Sequence, residues 1–222
     1  MKIAAISDTH NQHKKLKIPE CDVLIHCGDL TNSGEIWEIK NFIEWMSKTP
    51  AKHKIVIPGN HDRSFQKPLM LPAIEELFTA ANINLLIDKS LTIDNINFYG
   101  SPWQPWFWDW AYNFPRYDGG EAAKSTWDKI PVDTDILITH GPPNGILDRV
   151  DRDGSSVGCP HLRNRIEQTK IKYHCFGHIH ESRGTMTDDG RNYINCSNPG
   201  LYEVFQFTFN KEERVIDEIQ CW

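Results

Sequence analysis

Five short apolar runs, each ending in a step rich in Asp, Asn, His or Gly, constrain this chain more than anything else in it. Ile3–Ile6 runs into Ser7-Asp8-Thr9-His10, and Val23–His26 into Cys27-Gly28-Asp29. Lys54–Ile57 runs into Pro58-Gly59-Asn60-His61-Asp62, Ile136–Thr139 into His140-Gly141-Pro142-Pro143, and Tyr173–Phe176 into Gly177-His178-Ile179-His180. Short β-branched apolar runs of this kind suit strands covered on both faces. In an open α/β sheet, ligands bind outside the carboxyl ends of the strands. Carboxylates and imidazoles are costly to bury unpaired, so delivering five sets of them to one sheet edge implies a positive group among them. A dinuclear metal centre meets that need.

The rest of the chain frames those runs. The spacing of Ile36, Ile39, Ile43 and Met46 predicts a helix over 35–48, closed by Thr49-Pro50. Further helices are expected over 71–81, 121–129 and 160–170, and strands over 84–87 and 95–99. From residue 184 the pattern turns to β, with strands expected over 192–196, 203–208 and 215–220. Strand-helix alternation followed by a β-rich end implies mixed sheets with helices outside, an α/β class. No repeat, low-complexity tract or linker divides the chain, so residues 1–222 read as one domain.

Composition narrows the partners. Lys plus Arg number 24 against 30 Asp plus Glu, a formal net charge of −6. That argues against a long nucleic acid, whose phosphates need a basic face, but leaves room for a small phosphate ester at a locally positive site. No apolar run approaches the roughly 20 residues of a membrane-spanning helix, and Met1-Lys2 leads straight into the first expected strand, so no signal sequence is expected. The six cysteines lack paired spacing and several fall inside strands. A reducing, cytoplasmic setting without disulfides or Cys-ligated zinc is expected.

Chemistry can be assigned motif by motif. Asp8 and His10, and again His178 and His180, stand two apart, and in extended chain such residues point the same way. Asp29 has two oxygens and can bridge two ions; Asn60 offers a neutral oxygen, and His140 another imidazole. This mixed N/O set suits Mn, Fe, Zn, Co or Ni better than Ca or Mg alone. Taken singly, each of these histidines is as consistent with an ordinary polar residue. His26 lies within a strand and reads as a hydrogen-bonded core or supporting residue, while His13, His53, His161 and His174 read as surface or packing. Asp62 is equally consistent with a turn cap.

The set Asp8-x-His10, Gly28-Asp29, Gly59-Asn60-His61-Asp62, His140 and Gly177-His178-x-His180 resembles the calcineurin-like metallophosphoesterase superfamily, from Lys2 to about residue 205. Tyr99-Gly-Ser-Pro-Trp103-Gln-Pro-Trp, Ala111-Tyr-Asn, Thr139-His-Gly-Pro-Pro143 and Val157-Gly-Cys are most similar to one branch, the metallophosphoesterase-domain proteins related to class III cyclic-nucleotide phosphodiesterases. The resemblance implies a four-layer αββα sandwich of two mixed sheets flanked by helices. It implies one ion on Asp8, His10, Asp29 and His180 and a second on Asp29, Asn60, His140 and His178. His61 would contact the phosphate and protonate the leaving oxygen, oriented by Asp62. Some members of the branch carry Gly where His178 stands and are impaired as enzymes; this sequence keeps the histidine.

The implied activity is that of a metal-dependent phosphoric ester hydrolase, more a phosphodiesterase than a monoesterase, acting on a small diester such as a cyclic nucleotide. Attack is in line, by a hydroxide bridging two ions, with manganese the first metal to try. Two divalent ions carry about +4; two carboxylates and one hydroxide leave about +1, which attracts a diester monoanion. A phosphomonoesterase or protein phosphatase is the alternative, and a non-catalytic scaffold on the same fold a second one. Trp103, Trp106, Phe107, Trp108 and Trp110 read either as a loop packed on its own rings or as a shelf for a base. Trp103, Asn113, Arg116 and Arg149 are the candidates for substrate contact. Residues 151–158 read as a lid or a plain surface loop, and exposed aromatics over 103–110 leave monomer and homodimer both open.

Overall fold

The computed structural model describes residues 1–198, 200, 202–210 and 219–222. The strands are β1 (Lys2–Ile6), β2 (Val23–Cys27), β3 (His53–Ile57), β4 (Asn84–Leu85), β5 (Lys89–Ile93) and β6 (Ile96–Ser101). They continue as β7 (Ile136–Thr139), β8 (Tyr173–Phe176), β9 (Gly184–Asp188), β10 (Arg191–Asn195), β11 (Phe205–Thr208) and β12 (Gln220–Cys221). The helices among the described residues are α1 (Ile36–Ser47), α2 (Leu71–Ala80), α3 (Glu121–Trp127) and α4 (Pro160–Glu167), with short 3-10 turns over 13–15, 63–66 and 180–182.

Two six-stranded mixed sheets form, in the orders β12-β11-β1-β2-β3-β4 and β5-β6-β7-β8-β10-β9. In the first, β1 to β4 run parallel and β11 pairs antiparallel with β1. In the second, β6, β7, β8 and β10 are parallel, with β5 and β9 antiparallel at the two edges.

Alternation along the strands sorts the side chains into three apolar layers. Ile3, Ile25, Ile55 and Ile57 face Phe98, Ile138, Cys175 and Ile194 between the sheets. Ala4, Leu24 and Val56 turn the other way, onto Ile39, Phe42 and Met46 of α1 and Ile74 and Phe78 of α2. Tyr99, Leu137, Phe176 and Tyr193 turn onto Trp127 of α3 and Leu162 and Ile166 of α4. The layers are therefore helix, sheet, sheet, helix, as the resemblance implied. Every central strand buries both of its faces, which is why these runs read as continuously apolar.

Local signals set the element ends. The amide of Glu35 donates to the Glu38 carboxylate at 2.8 Å and opens α1. Pro72 and Pro160 sit in the first turns of α2 and α4, where a missing N–H costs nothing. Some expected bounds move. The strand at 84–87 is only Asn84–Leu85, that at 95–99 runs from 96 to 101, and α4 ends at 167 rather than 170. Lys89–Ile93 is a strand that sequence pattern did not reveal; its polar, mostly exposed side chains are those of a sheet edge. Of the strand expected over 215–220, residues 215–218 lie outside the described residues, and Gln220 begins β12. Among the described residues, no helix is long and apolar enough to cross a membrane.

Candidate metal centre

The carboxyl ends of β1, β2, β3, β7 and β8 open onto one edge of the sandwich, and the polar steps that follow them meet there. Three sets of ligand atoms each lie within 4.8 Å of one another: Asp8, His10 and His180; His10, Asp29 and His61; and Asp8, Asp29 and His140. The sets interlock, because Asp8, His10 and Asp29 each belong to two of them. Asn60 joins through its Oδ1, 2.8 Å from Nε2 of His140. The His178 ring lies 4.9 Å from that of His140, and its backbone amide donates to Asp8 at 3.1 Å. Seven residues expected to hold metal are thus brought together with His61.

Backbone geometry aims these side chains. Asp8, His10, Asp29 and His178 all adopt left-handed conformations, with φ of 55, 40, 57 and 69°. Such conformations are uncommon for residues other than glycine and cost energy unless the surroundings impose them. Close approach of the loops imposes two glycines. A Cβ on Gly59 would stand 2.3 Å from Oδ1 of Asp29, and one on Gly177 2.2 Å from Oδ2 of Asp8.

Three imidazoles are oriented by backbone carbonyls. Nδ1 of His140 donates to the carbonyl of Cys27 at 2.9 Å, Nδ1 of His10 to that of Thr31 at 3.2 Å, and Nδ1 of His61 to that of Asn32 at 2.8 Å. A carbonyl only accepts, so each ring carries a proton on Nδ1 and turns Nε2 inward. Nε2 of His140, His10 and His61 lie 3.5, 3.8 and 3.9 Å from Oδ2 of Asp29. A second partner that fixes the tautomer is the usual support of a metal-binding histidine.

Electrostatics at the centre favour positive charge. Burial alone would raise the carboxyl of Asp8, but the His180 hydrogen bond and the nearby imidazoles hold it well below the usual carboxylate range. Asp29 behaves alike: burial opposes ionisation and His140 outweighs it. In return, burial lowers the pKa of His140 but the two carboxylates raise it further, to about 9. His178, half-buried beside His140, is pushed down to about 3, chiefly by desolvation. Paired buried carboxylates ringed by tautomer-fixed imidazoles are the donor chemistry of a borderline divalent cation.

Other expectations resolve differently. Asp62 does not touch the His61 ring in its described contacts. It is wholly buried and accepts from the amides of Leu30, Thr31 and Gly59 and from the Thr31 hydroxyl, at 3.2, 3.0, 2.8 and 2.6 Å. Its effect on His61 therefore passes through the shape of the turn; the partner of the imidazole is the Asn32 carbonyl, which no side-chain pattern announces. His26 bonds Thr9 Oγ1 at 2.9 Å beneath the Asp8 loop, as a supporting residue should. His13 and His174 are fully buried.

The four candidates for substrate contact have their described contacts elsewhere. Trp103 packs on Tyr112 and Phe114 and donates its indole N–H to Asp88 at 3.0 Å. Asn113 commits its amide to its own loop, donating to the carbonyls of Phe107, Trp108 and Trp110. The Arg116 guanidinium lies 4.5 Å from the Trp106 ring centre. Arg149 is exposed, and its backbone is tied to the Ser182 hydroxyl, just past His180. The polar segment after it is fastened by buried Asp148, which accepts from Gly145, Ser156 and Gly158. Phe107, not Trp103, approaches the cluster, with its ring 5.6 Å from that of His178.

Known proteins place this architecture. "Metallophosphoesterase domain-containing protein 1" of Homo sapiens is 39% identical over 216 residues, covering 88% of this chain; the chain spans 65% of that protein's length. "Uncharacterized protein MJ1162" of Methanocaldococcus jannaschii is 31% identical over 237 residues, covering 98% of this chain and 96% of that protein. Among solved structures, TT1561 of Thermus thermophilus superposes with a TM-score of 0.68 at 12% identity, over 100% of this chain and 97% of that one. Phosphopantetheinyl hydrolase from Mycobacterium tuberculosis gives 0.62 at 14%, over 96% and 97%, so both share the fold. The family profile described as calcineurin-like phosphoesterase matches residues 1–182, and the chain belongs to that family.

Proposed function

We propose that residues 1–222 form one metal-dependent phosphoester hydrolase domain, a phosphodiesterase acting on a small, singly charged diester such as a cyclic nucleotide, in cytoplasmic surroundings. The observation that carries the reading is the interlocking of three donor sets through Asp8, His10 and Asp29. Shared ligands are the simplest way to hold two ions close together, and two-metal sites serve in-line displacement at phosphorus. Asp8, His10, Asp29 and His180 are assigned to one ion, and Asp29, Asn60, His140 and His178 to the other. When bound, the ions supply Lewis acidity that activates a water and draws charge from the phosphoryl oxygens.

The protein's own groups do the rest. His61, held by its Nδ1–H on Asn32, keeps Nε2 toward the centre and is assigned to the phosphate and to protonation of the leaving oxygen. Asp62 keeps the 59–62 turn in shape. Trp106, Phe107 and Trp108 are exposed, with Phe107 beside His178, and offer an apolar wall for the group esterified to phosphate.

The test is a paired assay on protein stripped of metal and refilled with manganese, using an aryl diester and the matching monoester, with bound metal counted by elemental analysis. Two ions per chain and faster diester cleavage support the reading. Faster monoester cleavage moves the assignment to a phosphomonoesterase. In parallel, His61→Ala is expected to lower turnover by about 100-fold or more with metal content unchanged. Loss of an ion in that variant would instead place His61 among the ligands.

A further inference from the structure

We infer that Trp110 is a positioning residue for His61, fixing the plane of its imidazole; the inference rests on the role proposed for His61. The indole ring lies 4.1 Å from the imidazole, centre to centre, with the planes 29° apart. The imidazole itself has one described hydrogen bond, from Nδ1 to Asn32. A ring held by one such bond still pivots about it, and the pivot sweeps Nε2 across the site. A stacked face stops the pivot. The edge of His10, 4.6 Å away at 77°, bounds the ring again.

The indole is built in rather than adventitious. It is half-buried, and the guanidinium of Arg63, two residues after His61, lies 4.2 Å from its centre. Its chain neighbours are bonded to the segment that carries His61. The amide of Ala111 donates to the carbonyl of Asn60 at 3.1 Å, and that of Tyr112 to Oε1 of Gln66 at 3.0 Å. Asn113 ties the loop to itself, donating to the Trp110 carbonyl at 3.1 Å and accepting from the Phe107 amide at 3.2 Å. The aromatic loop and the 59–66 segment thus form one unit with the His61–Trp110 stack inside it. A misplacement of roughly 1 Å at a catalytic group costs about 100-fold in rate, so a side chain that never meets substrate can govern turnover.

The experiment compares Trp110→Ala and Trp110→Phe on manganese-loaded enzyme, with an alkyl and an aryl diester. Trp110→Ala is expected to lower kcat by about 10–100-fold with KM within about threefold. The loss is larger for the alkyl ester, whose poorer leaving group needs the proton more. Trp110→Phe keeps a ring face and restores most of kcat. Trp110→Ala added to His61→Ala costs nothing further, since both act through one imidazole. In metal-free protein, the His61 ring-proton NMR signals show a ring-current shift that Trp110→Ala removes and Trp110→Phe retains. Should Trp110→Ala fail to fold, Trp110→Leu, which keeps apolar bulk without a ring, takes its place.

Unchanged kcat in Trp110→Ala overturns the proposal. A raised KM at full kcat also overturns it, by making Trp110 a substrate contact. Full turnover in His61→Ala sinks the role of His61 itself, and the ring-current shift still reports separately whether Trp110 holds the ring.

Discussion

The backbone amide of His61 donates to Oδ1 of Asp29 at 2.8 Å. Asp29 belongs to two of the three donor sets, so one carboxylate both serves the centre and fixes the turn that presents the proposed proton donor. Replacing it by Asn keeps the shape and removes the charge. Asp29→Asn is expected to weaken metal binding by more than the about 10–100-fold that loss of an outer partner costs. Titration of stripped protein with manganese, followed by elemental analysis, measures this; wild-type affinity would remove Asp29 from the ligand set.

Gly59→Ala tests the packing of the same two loops. The new methyl would stand 2.3 Å from Asp29 Oδ1 and 2.4 Å from its amide, and the second is backbone that cannot swing aside. Stability is expected to fall by about 1–3 kcal/mol, the usual cost of overpacking. Metal affinity falls with it, because Asp29 is the residue displaced. Urea unfolding and metal titration report the two effects separately.

Asp62→Asn tests the turn. Four donors converge on this carboxylate. Burial and the charge of Asp29 raise its pKa, against the bonds from Thr31 and Gly59, to about 7. An amide in its place must turn a donor toward donors. The expected loss is about 2–4 kcal/mol of stability, with a lower kcat as the His61 turn relaxes. If stability holds and only kcat falls, Asp62 acts on the chemistry more directly than through shape.

Stability should also fall in mild acid, through buried His174. The Thr139 hydroxyl donates to the Gly141 carbonyl, so Thr139 Oγ1 accepts from His174 Nε2–H, leaving His174 Nδ1 buried without a partner among the described residues. Burial pushes the pKa of His174 from 6.5 down to about 3. Above pH 6.5 the ring is neutral folded or unfolded and contributes no pH dependence. Between 6.5 and about 3 the unfolded chain takes up the proton and the folded one does not. Stability therefore drops as pH falls, by up to about 1.4 kcal/mol per pH unit from this group. His174→Gln should flatten the slope; an unchanged slope in urea midpoints between about pH 7 and 5 would assign the acid sensitivity elsewhere.

The sheet and the loops of the candidate centre are legible because burial on both faces and chemistry at strand ends leave their marks in side-chain type. Asp8, His10, Asn60, His140, His178 and His180 stand out for that reason. What orients them does not. Cys27, Thr31 and Asn32 act through carbonyls, and any residue has one. The edge strand Lys89–Ile93 was missed because its mostly exposed side chains carry little apolar signal. The aromatic stretch showed its composition but not its division of labour: Trp103 serves the core, Phe107 the rim and Trp110 the imidazole. That division depends on Asn113, whose bonds to three carbonyls bend the loop.

The left-handed residues proposed as ligands bear on how such a protein can change over generations. At His178, with φ of 69°, the backbone is one that glycine accepts without strain and a β-carbon resists. Losing the imidazole to glycine there relaxes the fold while it removes a proposed ligand. A glycine at this position would therefore give up the proposed ligand at little backbone cost, and the scaffold would outlast the chemistry proposed for it.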